Sequence, residues 1–156
     1  PAHQLALAAV YYSPLQYMYW YDKPSDSQDE PELKFFDDVY TTWDDTKVLQ
    51  GEVGEFITIA RRKGEEWFIG SITNNEKRVL SVSLDFLPEG KNYIAEIYTD
   101  GDKSVKTRTK VRVSTYRVSN KTKLNFCLKA SGGGAVRLVP DDGNIKSVKN
   151  YKQQRL

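Results

Sequence analysis

This 156-residue chain has one cysteine, one histidine and one methionine, and the first two scarcities each close a class of function. A single thiol, Cys127, forbids an intrachain disulfide framework, and one Cys with one His makes neither a multi-cysteine site nor a zinc site. The only histidine, His3, lies far in sequence from any nucleophile-like Ser or Cys, which leaves a Ser-His-Asp or Cys-His centre without a base. No run approaches the ~18 apolar residues of a membrane helix, and no basic segment precedes an apolar one at the start as in a secretory leader. A membrane is therefore not an expected partner. Charge of one sign is also lacking: 23 Lys and Arg against 21 Asp and Glu, mixed along the chain, give a net charge of +2. That balance is too even for a polyphosphate-binding face, so nucleic acid is not expected either. Cys127 sits in the strand-like run at 124–128 and reads as a buried, inert thiol. The chain starts at Pro1 with Met18 as its only methionine, which reads as a mature, trimmed or excised piece.

The remaining composition is that of a globular protein, with 39% hydrophobic, 12% aromatic and 28% charged residues. It suffices for one domain with a sizeable core, or one domain plus part of another. Residues 2–13 (AHQLALAAVYYS) form a helix pattern stopped by Pro14. Leu5, Leu7, Ala8, Ala9, Val10, Tyr11 and Tyr12 leave it almost no polar face, so it reads as one element of a core whose remainder is missing. Residues 15–21 (LQYMYWY) add an aromatic patch, Tyr17, Tyr19 and Trp20, that a small domain has difficulty covering. Residues 22–31 read as a solvated loop. A short helix is expected at 32–40, with Leu33, Phe36 and Tyr40 on one stripe. Beyond Pro140 a polar tail with Lys146, Lys149, Lys152 and Arg155 is expected to trail on the surface.

From residue 42 the period changes to two. Short apolar, β-branched runs at 48–49, 56–59, 67–72, 79–84, 93–98, 111–118, 124–128 and 135–139 are separated by Gly, Asn, Asp or Pro turn signals. With no helical crossovers between them, they predict an antiparallel sandwich or barrel. The clearest unit is a hairpin within 54–74, strands 55–61 and 67–73, reversing at Lys63-Gly64-Glu65 because Gly supplies the positive φ of a tight turn. Asp100-Gly101 is a second turn signal of that kind.

Chemistry is hard to find in these residues. Acid pairs occur at Asp37-Asp38, Asp44-Asp45, Glu65-Glu66 and Asp141-Asp142, whereas a glycosidase needs two carboxyls facing each other about 5 to 9.5 Å apart. Neighbours on a strand point to opposite faces, so these pairs read as turn and solvent residues. Asp22, Asp26, Asp29 and Glu30 could supply oxygen ligands to calcium, but without the spacing or turn glycine of an EF-hand. Ser131-Gly132-Gly133-Gly134 lacks the Lys-Ser/Thr and the helix of a phosphate loop and reads as a loop or bulge before the last strand. Large aromatics in or near strands, chiefly Trp43, Trp67 and Tyr98, could stack on sugar rings. The more ordinary use of Trp67 and Tyr93 is to fill the sandwich core or an interdomain seam, as large aromatics usually do.

Several segments, in order, resemble the C-terminal part of glycoside hydrolase family 97: His3-Gln4-Leu5-Ala6, Ser13-Pro14-Leu15-Gln16, Thr42-Trp43-Asp44-Asp45-Thr46, Gly51-Glu52-Val53-Gly54-Glu55, Ile59-Ala60-Arg61-Arg62-Lys63-Gly64, Trp67-Phe68-Ile69-Gly70, Tyr93-Ile94-Ala95-Glu96-Ile97-Tyr98 and Gly133-Gly134-Ala135. The family's members are α-glucosidases and α-galactosidases with an N-terminal β-sandwich, a central (β/α)8 barrel and a C-terminal antiparallel β domain. The resemblance implies a mainly β chain: a leftover helical end of the barrel plus linker at 1–41, a β-sandwich at 42–140, and a polar tail at 141–156. It implies no catalytic and no metal-binding residue here, since the family's acid, base or nucleophile and calcium-binding glutamates lie upstream. Calcium is expected only in the full-length enzyme. The expected partners are the upstream barrel and, through the whole enzyme, an oligosaccharide. A periplasmic or secreted location is the family's. The alternative is a carbohydrate-binding module using Trp43, Trp67 and Tyr98.

Overall fold

Strand β2 (Phe56–Lys63) and strand β3 (Glu66–Thr73) pair antiparallel with Lys63 opposite Glu66, which leaves only Gly64 and Glu65 to make the reversal. Gly64 has φ +58°, the left-handed value expected of that position. The strand runs two residues further than the sequence suggests because Arg62 and Lys63 stay in register with Trp67 and Glu66. This computed structural model describes residues 1–17, 20–28, 30–106, 108–145 and 147–152. Met18, Tyr19, Asp29, Lys146 and Arg155 lie outside the described residues.

Six further strands complete two antiparallel sheets: β1 (Asp45–Glu52), β4 (Arg78–Ser83), β5 (Asn92–Asp100), β6 (Val111–Ser119), β7 (Lys123–Leu128) and β8 (Gly133–Pro140). Among the described residues one sheet has the order β1-β2-β3-β8-β5-β6, and the other is the pair β4-β7. The chain is mainly β, as its period-two runs require. Asp100-Gly101 does open the β5–β6 connection, but as a longer loop in which the Gly101 N–H donates to the Lys110 carbonyl at 2.6 Å.

The large sheet is buried on both faces, and strand parity assigns each side chain to one of them. Ala60, Trp67, Ile69, Tyr93, Ala95, Val136 and Leu138 face the small sheet and close on Leu80, Val82, Leu124, Phe126 and Leu128. Gly134 admits this packing, since a Cβ there would stand 2.7 Å from the Phe126 ring. The opposite parity carries Phe68, Tyr98 and Ala135, which face helix α1 (Ala2–Val10) and helix α2 (Lys34–Asp38).

Four expectations change. Helix α1 is not left without cover: Ala2, Leu5, Ala6, Ala8 and Ala9 are buried on this chain's own sheet, Leu7 and Val10 are half-buried, and the exposed apolar residues lie beyond the helix, at Tyr11, Tyr12, Leu15 and Tyr17. The short helix begins as a 3-10 turn at Pro31–Leu33, and the residues it buries are Glu32 and Phe35; of the expected stripe Leu33 and Phe36 are half-buried and Tyr40 is exposed, because the change of helix type rotates the face. Cys127 is exposed, since in β7 Leu124, Phe126 and Leu128 take the inward positions and leave Cys127 on the outer side. The tail returns to the sheet rather than trailing: the Arg117 N–H donates to Lys149 and the Tyr151 N–H to Arg117, both at 2.9 Å, along the outer edge of β6.

Candidate functional site

The most elaborate polar construction in the chain surrounds α1. The helix has no side-chain cap of its own, no acid in its first turn and no base in its last, so its end N–H and C=O groups need partners from elsewhere. The sheet supplies both. Asp100, at the end of β5, accepts from the Ala2 N–H through Oδ1 and from the Gly133 N–H through Oδ2, each at 3.3 Å. Arg61 of β2, only 2% exposed, donates from Nε to the Ala9 carbonyl and from Nη2 to the Val10 carbonyl at 2.7 Å, while Nη1 donates to Thr46 Oγ1 at 2.8 Å. An anion at the helix start and a cation at its end match the macrodipole. Burial pulls the Arg61 guanidinium pKa down, and the Tyr12 ring lies 5.2 Å from its Cζ.

Between those clamps the backbones nearly touch. A Cβ on Gly70 would stand 2.4 Å from the Ala6 carbonyl oxygen, and one on Gly133 would stand 2.7 Å from the His3 Cα. Two glycines on adjacent strands therefore form a trough for the alanine face of α1. His3 falls at its rim, with Nδ1 3.2 Å from the Gly132 carbonyl. Beside α1, Phe35 packs edge-on against Tyr98 and Phe68, at 5.3 and 5.8 Å. Arg137 of β8 donates to Asp38 at 2.8 Å and to Glu66 at 2.9 Å, with Glu96 at 3.6 Å. Burial lowers the Arg137 pKa, and the carboxylates of Glu66, Asp38 and Glu96 outweigh it, leaving it raised.

The acid pairs are used structurally. Asp38 and Glu66 meet Arg137, Glu65 meets Lys91, and Asp141 meets Arg117. Asp44 accepts from the Gly64 N–H at 2.7 Å and pairs with Lys63 at 3.3 Å, which together lower its pKa. Among the described residues no three His, Cys, Asp or Glu side chains converge as metal ligands. Of the acids considered for calcium, Glu30 accepts from the Tyr21 hydroxyl and the Gln28 N–H.

Trp43, Trp67 and Tyr98 are not brought together. Trp67 is buried between the sheets, with its ring 4.7 Å from that of Phe86. Tyr98 is buried on the opposite face beneath Phe35. Trp43 is half-buried and leans on Phe68 at 5.5 Å. Neither Trp67 nor Tyr98 offers a ring face to solvent.

Two apolar patches are open instead. Tyr11, Tyr12, Leu15 and Tyr17 are exposed beyond α1, and all but Tyr12 line a pocket of about 300 Å³ that reaches Leu7 and Phe36. Trp20 lies behind it, edge-on to Phe36 at 5.5 Å. The second patch, which sequence reasoning missed, is the far end of the β1–β2 hairpin. There Val48, Val53, Phe56, Ile57 and Ile72 line a pocket of about 540 Å³, and Val53 is fully exposed. A valine at the turn beside Gly54 was its only advance signal.

Comparison with known proteins fits this architecture. The family model described as "Glycosyl-hydrolase 97 C-terminal, oligomerisation" matches residues 42–139. A retaining alpha-galactosidase of Bacteroides thetaiotaomicron is 35% identical over 136 residues, which is 86% of this chain and 20% of that protein. The structure of a glycoside hydrolase family 97 enzyme in complex with acarbose, from Pseudoalteromonas sp. strain K8, superposes with a TM-score of 0.79 at 36% identity, over 89% of this chain and 22% of that one. A beta-arabinopyranosidase shares the fold, with a TM-score of 0.69 at 23% identity over 87% of this chain and 20% of the other. The chain thus spans about a fifth of the relatives it matches.

Proposed function

Because the chain belongs to the glycosyl-hydrolase 97 C-terminal, oligomerisation family, we propose that it serves a family 97 α-glycosidase acting on α-glucosidic or α-galactosidic bonds. In this reading it performs no chemistry itself. Its task is to hold the helix through which the upstream barrel enters the β domain, to seat that barrel on Tyr11, Tyr12, Leu15 and Tyr17, and to bring copies together. The observation that carries the reading is the clamp on α1, whose two ends are held by Asp100 and Arg61 from distant strands. Association belongs to the reading because the matching family is described by it. Calcium, on the family's pattern, would be held by the rest of the enzyme. The periplasmic or secreted location of the family's bacterial members belongs to the same proposal.

The direct test is an assay of the 156-residue chain on nitrophenyl α-glucosides and α-galactosides. No turnover is expected. Activity that follows the chain through successive purification steps overturns the proposal.

A further inference from the structure

We propose that the association surface is the open edge of β1, and that a second copy pairs with it antiparallel about a two-fold axis, so that two six-stranded sheets become one. This rests on the self-association reading above and names its surface. The two sheet edges differ in how they end. The edge of β6 is met by the returning tail at Lys149 and Tyr151, whereas β1 bonds β2 on one side and nothing among the described residues on the other. An exposed edge beside an apolar patch is a template for another strand. Residues 42–139, the span matched by the oligomerisation family, contain this whole edge and exclude Tyr11, Tyr12 and Tyr17.

The residues of β1 are self-complementary in one register. A symmetric interface requires residue i to meet j while j meets i. Pairing Lys47 with Glu52, Val48 with Gly51 and Leu49 with Gln50 satisfies this and sets opposite charges against each other twice. Sliding the strands by two residues one way sets Asp45 against Glu52, two like charges, and the other way sets Lys47 against Gly54 and Glu52 against Leu49, with no charge pair. A regular strand would forbid the first register, because Val48 and Gly51 would lie on opposite faces. The irregularity between Val48 and Gln50 removes that obstacle: Val48 stands opposite Ile59 and Gly51 opposite Ile57, and both isoleucines share the parity of Arg61, which faces the helix. Lys47 opposite Ala60 and Glu52 opposite Phe56 share the other side. Val48, 67% exposed in one copy, would then lie over a glycine, and the Ile57 and Ile72 shelves of the two copies would join.

Sedimentation over a wide concentration range tests the pairing in three versions of the chain. The unaltered chain is expected to dimerise. Lys47→Glu, which replaces both attractive pairs by repulsive ones, should weaken the dimer about tenfold. Lys47→Glu with Glu52→Lys should restore it, which no general loss of folding would do. A dimer whose affinity stays within about twofold in Lys47→Glu overturns the β1 edge and leaves association elsewhere on the chain standing. A chain that remains monomeric throughout overturns the association reading itself. Val53→Asp, a surface change that spares both sheets, serves as a second variant expected to weaken the dimer.

Discussion

Replacing Arg61 by Met tests whether the sheet holds α1 through its dipole. The guanidinium makes two charge-assisted hydrogen bonds to the carbonyls of Ala9 and Val10 and a third to Thr46. Bonds of that kind contribute ~1.5–3 kcal/mol each. Against this stands the cost of burying the charge, which the substitution recovers and which is several kcal/mol for a group as enclosed as this. For the two carbonyl bonds together, ~3–6 kcal/mol, taking the recovered part as about half leaves a net loss of ~1.5–3 kcal/mol. For a domain of this length each kcal/mol moves the melting temperature by ~2–4 °C, so a fall of ~3–12 °C is expected by far-ultraviolet circular dichroism. Hydrogen exchange should locate the effect, with the amides of α1 losing protection before those of β3 and β8. Arg61→Lys keeps the charge but not the fork that reaches two carbonyls, and should fall between. A melt within ~1 °C of the unaltered chain, with α1 equally protected, would refute the clamp.

The other two expectations concern the trough and the tail. Gly70→Val should lower the urea midpoint by an amount equivalent to at least ~1–3 kcal/mol, because its Cβ meets the Ala6 backbone rather than a side chain able to turn away; an unchanged midpoint would mean that α1 does not rest there. Asp141 has its carboxyl pKa held down by Arg117 first and the Gly143 N–H second. A carboxyl lowered in the folded state stabilises above its unfolded value, ~3.9, and loses that contribution as pH falls through the folded one. Acid below ~4 should therefore free the tail from β6, seen as protease cleavage between residues 142 and 152, and Asp141→Asn should be cleaved at neutral pH as well.

How much of this was legible depends on whether the cause is local. The hairpin around Gly64 and the strand runs were readable because side-chain period and turn chemistry are properties of consecutive residues. The burial of Trp67 was readable in outline, as a large aromatic flanked by Phe68 and Ile69. Arg61 was not: in sequence it is one of three basic residues before a turn, and only the approach of Ala9 and Val10 from 51 or more positions away gives it a role. Gly70 and Gly133 are equally silent, since the reason for each is a helix backbone lying across it. The error over α1 has the same origin. An apolar helix declares that it must be covered, and nothing in its own residues says by what. Cys127 was misplaced by treating a strand residue as core without counting parity from Leu124.

Parity is also what lets one sheet serve two purposes. On β2 and β3, Ala60 and Ile69 close the sandwich, while Arg61, Phe68 and Gly70 receive the helices. Since successive residues alternate between these duties, a shift of one register would carry the guanidinium into the sandwich core and strip α1 of its cap. The hairpin turn at Gly64 fixes that register locally, and Asp44 reinforces it by accepting from the Gly64 N–H. Among the described residues the one strand that departs from strict alternation is β1, at the edge, where the irregularity falls at Leu49, half-buried against the rim of the sandwich core. A change of parity inside the sheet would be costly; at the edge it gathers Val48 and Gly51 onto one face without disturbing the helix or the core. The same rule that fixes α1 in place therefore leaves β1 as the strand free to present a surface to another molecule.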